Sequence, residues 1–142
     1  MTPGFGADGS PVRVLLVDDS PWQREGWALL LGSQADLEVV GQVGDGAQAL
    51  AALRRERVDV VLMDIQMPRV NGLVATERIL GDEQVRVLGA PPRVVLVTNM
   101  DLDDHVAAAA QVGAYAVLYK DTEPEALFSV IRQAAHAPSA VE

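Results

Sequence analysis

A doubly wound α/β domain built on a five-stranded parallel sheet is predicted by three features of this 142-residue sequence. Short Val- and Leu-rich runs alternate with helical segments five times, the pattern of repeated βαβ units with right-handed crossovers. Two of the runs, Val12–Asp18 and Val58–Asp64, are almost continuously apolar, as strands buried on both faces must be. Gly, Pro, Ser and Asp fall at the junctions, where turns and helix caps need them.

The elements follow in order. Residues 1–11 are rich in Gly, Pro and small side chains and read as a flexible tail before a domain over 12–136. Val12–Asp18 is the first strand. Ser20 and Pro21 then supply a cap and a first-turn proline for a helix through Trp22 and Trp27 to about Leu31. Leu37–Val43 is the second strand, Ala47–Glu56 a helix after Gly46, and Val58–Asp64 the third strand. Leu73–Leu80 is helical, and the polar stretch Gly81–Pro92 reads as a surface insertion. Arg93–Thr98 is the fourth strand, Asp101–Val112 a helix closed by Gly113, Ala114–Tyr119 the fifth strand and Glu123–Ala135 the last helix. Residues 137–142 read as a tail or the start of a linker.

Composition narrows the function. An apolar fraction of 49% suffices for a core, and a net charge of −9 argues against this segment gripping nucleic acid through phosphate contacts. With no cysteine, disulfides, thiolate metal sites and cysteine nucleophiles are excluded. No apolar run is long enough to span a membrane, and no secretory leader pattern opens the chain, so a soluble cytoplasmic protein is expected.

In a doubly wound sheet, functional groups gather at the carboxyl ends of the strands. Here those ends carry Asp18 and Asp19, then Asp64, then Thr98, with Lys120 following the last strand. Each alone reads blandly: an Asp after a strand usually caps a turn, and a lone Lys is usually a solvated charge. Together they form a site. Crowded carboxylates repel unless a cation neutralises them, and oxygen ligands of this kind suit Mg²⁺. A metal bridging Asp64 and an incoming phosphoryl group would offset charge in the transition state, Lys120 would clamp the phosphoryl oxygens and the Thr98 hydroxyl could hydrogen-bond one of them.

The motifs that carry these residues resemble those of bacterial two-component response-regulator receiver domains. They are Val14-Leu-Leu-Val-Asp-Asp19, Asp59-Val-Val-Leu-Met-Asp-Ile-Gln-Met-Pro68 with Asn71-Gly72, the strand ending at Thr98, and Gly113-Ala114 leading to Lys120. The likeness spans about residues 12–136. Val39-Val-Gly41, Asp45-Gly46 and Lys120-Asp121 are most similar to the NarL/FixJ subgroup.

The resemblance implies a flavodoxin-like fold with strand order 2-1-3-4-5. It implies a phosphoacceptor at Asp64, served by a sensor histidine kinase or a small phosphodonor. Mg²⁺ would sit on Asp18, Asp19, Asp64 and the backbone carbonyl of Gln66, with Thr98 and Lys120 acting on the phosphoryl group. Such a domain is a switch and not a turnover enzyme; it would dimerise on phosphorylation. Its output would be transcriptional, through a helix-turn-helix domain that these 142 residues do not contain, or, for a stand-alone receiver, protein–protein interaction. Pro68 and Gly72 would shape the loop after Asp64, while Gln66 and Met100 would border the path of hydrolytic water.

One departure from the family stands out. Receivers usually carry Tyr or Phe three residues before the Lys, where this chain has Val117, with Tyr115 and Tyr119 displaced by two. The aromatic part of the switch is therefore expected to be altered.

Other functional classes fit less well. An aspartyl-nucleophile phosphatase needs a second Asp two residues after the nucleophile, and Gln66 stands there. A flavin binder needs a phosphate loop after the first strand, and Asp19-Ser-Pro-Trp22 is acidic and lacks Gly. A pseudo-receiver that only docks would have no need of all five groups.

Among the remaining residues, Trp22 and Trp27 should face opposite ways, one into the core and one to solvent. His105 and His136 read as solvated surface residues. Ala107–Ala110 reads as a helix face permitting close approach of a partner, and Asp101, Asp103 and Asp104 suit the dipole at that helix's start.

Overall fold

The structure, a computed structural model, describes residues 9–137. The tails expected over 1–11 and 137–142 fall almost wholly outside that range. Five strands, β1 (Val12–Val17), β2 (Leu37–Val43), β3 (Val60–Asp64), β4 (Arg93–Thr98) and β5 (Ala116–Tyr119), form one parallel sheet in the order β2-β1-β3-β4-β5. The helices are α1 (Pro21–Gly32), α2 (Gly46–Arg55), α3 (Gly72–Leu80), α4 (Glu83–Val87), α5 (Leu102–Gln111) and α6 (Pro124–His136).

Strand alternation sorts the apolar runs onto two faces. Val14, Leu16, Val60, Leu62, Val95 and Val97 pack with Trp27 and Leu31 of α1 and with Phe128 and Ile131 of α6. Leu15, Val17, Val61, Met63, Val94 and Leu96 pack on the other face, with Leu53, Ala75, Ile79 and Ala109 from α2, α3 and α5. Every residue of β3 is buried. That is the physical reason its sequence shows no polar alternation.

Local chemistry sets the helix starts. The side chains of Ser20, Asp45, Asn71 and Asp82 accept hydrogen bonds from the third backbone N–H onward, opening α1 to α4. Trp27 is buried and Trp22 is exposed, as the five-residue spacing requires.

One expectation is corrected. The stretch Gly81–Pro92 is not merely a surface insertion: it folds the short helix α4, whose Val85 is 3% exposed and belongs to the core. Asp82 both caps α4 and pairs with Arg54 of α2 at 2.7 Å, which holds the segment down.

Across the molecule, Arg132 of α6 donates to both carboxylate oxygens of Asp36, at 2.7 and 2.9 Å, and to Gln34. The Arg132 hydrogen bonds hold the Asp36 carboxyl below its ordinary pKa. A depressed carboxylate adds stability above its unfolded pKa and loses it as pH falls through the folded value. Arg132→Leu should therefore cost about 1–2 kcal/mol near neutral pH, and chemical denaturation should show that cost shrinking below about pH 4.

Candidate functional site

Parallel strand order brings the carboxyl ends of β1, β3 and β4 side by side, with β5 leading into Lys120. One ligand oxygen from each of Asp18, Asp19 and Asp64 lies within 4.8 Å of the others. Asp18 and Asp64 are buried, and Asp19 is exposed at the rim. Lys120 Nζ reaches in between, 2.8 Å from Asp18 Oδ2 and 3.2 Å from Asp64 Oδ2.

The backbone holds each group. Ile65 N–H donates to Val97 O at 2.9 Å and Lys120 N–H to Thr98 O at 2.9 Å, which continue the sheet past its last side chains. Ser20 N–H donates to Asp18 Oδ1 and Gln66 N–H to Asp64 Oδ1, orienting both carboxylates. Arg24 Nη1 donates to the Asp18 carbonyl at 2.5 Å. Gly72 closes the loop after Asp64, its N–H on Ile65 O at 2.8 Å. A Cβ there would stand 2.4 Å from Asp64 O, so only glycine allows the approach.

Charge balance is poor without a cation: three carboxylates face one ammonium. Burial, and then the Asp18 charge, push the Asp64 pKa above the ordinary carboxylate value, against the pull of Lys120 and the Gln66 N–H. Burial works against the Lys120 ammonium, but its bond to Asp18 and the Asp64 charge outweigh that and raise its pKa.

The donor set fits a hard divalent ion. Buried Asp18 Oδ2 meets Lys120 as an ion pair outside good hydrogen-bond geometry, so it keeps lone-pair capacity for a metal. The pocket is acidic and able to bind such an ion.

Thr98 is fully buried. Its hydroxyl lies 2.7 Å from Met100 O and 3.1 Å from Gln66 Oε1. Gln66 in turn places Nε2 3.3 Å from Nε2 of His105 on α5. His105 lies at the surface as expected, partly exposed, and its contact with the exposed Gln66 is a solvent-facing one that reaches the rim of the site. A contact 39 residues apart between a loop and a helix leaves no periodic signal by which to find it. Val117, where the family has an aromatic, packs on the core beneath α2, α3 and α5, while Tyr115 and Tyr119 are exposed.

Comparisons with known proteins agree with this geometry. Residues 14–132 match the response regulator receiver domain family. The chain belongs to that family. The receiver is similar to the transcriptional regulatory protein YxjL of Bacillus subtilis, 38% identical over 126 residues, which cover 87% of this chain and 54% of that protein. It is also similar to the nitrate/nitrite response regulator NarP of Escherichia coli, 34% identical over 128 residues, covering 90% and 57%. The receiver thus spans little more than half the length of these relatives. Among solved structures, the signal receiver domain of Mycobacterium tuberculosis NarL superposes with a TM-score of 0.79 at 32% identity, covering 91% of this chain and 99% of that one. Subgroup and strand order both stand as the sequence led one to expect. Among the described residues, no helix is long and apolar enough to cross a membrane.

The raised Asp64 pKa has a measurable consequence. A carboxyl raised in the folded state adds stability while protonated and loses it as pH rises through the raised value. In metal-free protein near neutral pH, Asp64→Asn should therefore melt higher than wild type, by roughly 2–4 °C for each kcal/mol of repulsion relieved. The gap should close toward about pH 4, where Asp64 is protonated in both states. A lower melting temperature for Asp64→Asn would show that pairing with Lys120 dominates instead.

Proposed function

We propose that this receiver is a phosphorylation switch of a two-component system, with Asp64 as phosphoacceptor. The observation that carries the reading is the meeting of three carboxylates within 4.8 Å around the Lys120 ammonium, at the sheet edge of a receiver-family chain. Asp64 must attack as the carboxylate, so the group that raises its pKa by repulsion has to be neutralised before it can react.

Mg²⁺ on Asp18, Asp19, Asp64 and the Gln66 carbonyl would supply that neutralisation and offset charge on the transferring oxygens. An Asp64 oxygen forms the new O–P bond. The N–P bond of a phosphohistidine breaks, and its electron pair returns to the imidazole; with acetyl phosphate the broken bond is O–P and acetate leaves. Lys120 holds one phosphoryl oxygen by charge, and the Thr98 hydroxyl donates to another after leaving its present acceptors.

The partner is a sensor histidine kinase, and the receiver meets it in the cytoplasm. Likeness to named transcriptional and nitrate/nitrite response regulators, and the half of their length this chain does not span, support transcriptional output through a DNA-binding region outside it. The receiver itself has no turnover substrate beyond its own acyl phosphate, and a net charge of −9 disfavours direct contact with DNA.

With acetyl phosphate and Mg²⁺, mass spectrometry should find one added phosphoryl group on wild type and none on Asp64→Ala. Equal labelling of the two would remove Asp64 from the role. The acyl phosphate is also expected to drive pairing of two copies. Sedimentation should report a monomer in buffer and a heavier species with beryllofluoride and Mg²⁺, and an unchanged mass would count against a dimer switch.

A further inference from the structure

We propose that His105 is a positioning residue: through Gln66 it holds the Thr98 hydroxyl on its resting acceptors and tethers the start of α5 to the site. The inference rests on the phosphorylation reading above only for what breaks the tether, not for its existence.

The chain of contacts is continuous. Thr98 Oγ1 lies 3.1 Å from Gln66 Oε1, and Gln66 Nε2 lies 3.3 Å from His105 Nε2. Thr98 has one hydroxyl proton and two acceptors, Gln66 Oε1 and Met100 O, and it also receives Met100 N–H at 3.3 Å. With the proton on Met100 O, a reversed Gln66 amide donates to Thr98 Oγ1 and accepts from His105 Nε2–H. With the proton on Gln66, the amide donates to an unprotonated His105 Nε2. Either way Gln66 bridges the hydroxyl and the helix.

A second observation concerns what is tethered. Of the five longer helices, α5 alone pairs an uncapped start with a single buried residue, Ala109. Its N-cap residue Asp101 sits in the left-handed region, at φ 55°, and makes no side-chain cap bond. The first turns of α1, α2 and α3 are capped, and α6 buries four side chains. The start of α5 thus lacks a side-chain cap, and the Gln66–His105 bond, though solvent-facing, is a side-chain contact that ties its first turn to the loop after Asp64.

When the Thr98 hydroxyl donates its hydrogen bond to a phosphoryl oxygen, it moves off whichever of Met100 O and Gln66 Oε1 it was serving and away from the other. Gln66 then loses the bond that fixed its amide, and the link to His105 weakens with it. The event at the strand end is thus passed to α5 by hydrogen bonding, without an aromatic side chain turning.

Amide hydrogen exchange of the full chain tests this. In unmodified protein, His105→Leu should speed exchange in the first two turns of α5 by about two- to tenfold, the loss of one net hydrogen bond. Leu is the better helix former, so helix propensity alone would slow exchange. His105→Gln, which can still bond the amide, should restore the wild-type rate. Beryllofluoride with Mg²⁺ should speed exchange of α5 in wild type and add nothing in His105→Leu.

Equal rates for wild type and His105→Leu, or His105→Gln as fast as His105→Leu, would overturn the tether. Failure of acetyl phosphate to label wild type would sink the phosphorylation reading instead, while the comparison in unmodified protein would still decide the role of His105.

Discussion

Two buried carboxylates and one ammonium share a volume from which water is largely excluded, with a third carboxylate at its solvent-facing rim, and the architecture of the sheet edge follows from keeping them there. Each like pair repels, and the repulsion grows as the local dielectric falls. The protein offsets it in two ways. Lys120 stands against the two buried acids, at 2.8 and 3.2 Å. Backbone N–H groups of Ser20 and Gln66 bond the far oxygen of each. The balance remains negative, and burial together with the Asp18 charge raises the Asp64 pKa. A site left short of positive charge is one poised to take a cation.

That arrangement constrains the backbone more tightly than the core does. Packing on either face of the sheet tolerates exchange among Val, Leu and Ile, since volume and apolarity are what it needs. The loop after Asp64 tolerates no such exchange. Gly72 returns to within a bond of Ile65 O, and any side chain there would collide with Asp64 O. The loop is thereby tied to the strand that ends in Asp64, and Asn71 caps α3 immediately beyond it.

Most of this was legible in the sequence, for physical reasons. β3 and β4 announce themselves because burial on both faces removes polar alternation, and α1 because Ser20 and Pro21 supply a cap and a first-turn proline. The acids were legible because strand ends in a parallel sheet converge whatever the loops do. Two things were not. The helix α4 is five residues long, too short for a periodic signal, and its anchor is the pairing of Asp82 with Arg54 across 28 residues. His105 carries no local mark either, since its partner Gln66 lies on another strand's loop. Both are set by tertiary contact between single side chains, which no window of sequence contains.

Val117 joins these threads. At this place the family usually has an aromatic side chain that turns inward as the hydroxyl of the switch residue moves, and this receiver has a small aliphatic one packed on the core, with Tyr115 and Tyr119 both exposed. A Val has one stiff rotatable side-chain bond and cannot swing between inward and outward positions as an aromatic ring can. In the proposed switch, two hydrogen-bonded routes run from Thr98 toward α5: one directly through the Met100 backbone, just before the N-cap Asp101, and one through Gln66 to His105. Hydrogen bonds suit the task because they are directional: a hydroxyl with one proton cannot serve a phosphoryl oxygen and its resting acceptor together. On the proposed reading, competition for that single proton would make the response of Thr98 two-state, and α5, whose start has no side-chain cap, is the neighbouring element that would feel it.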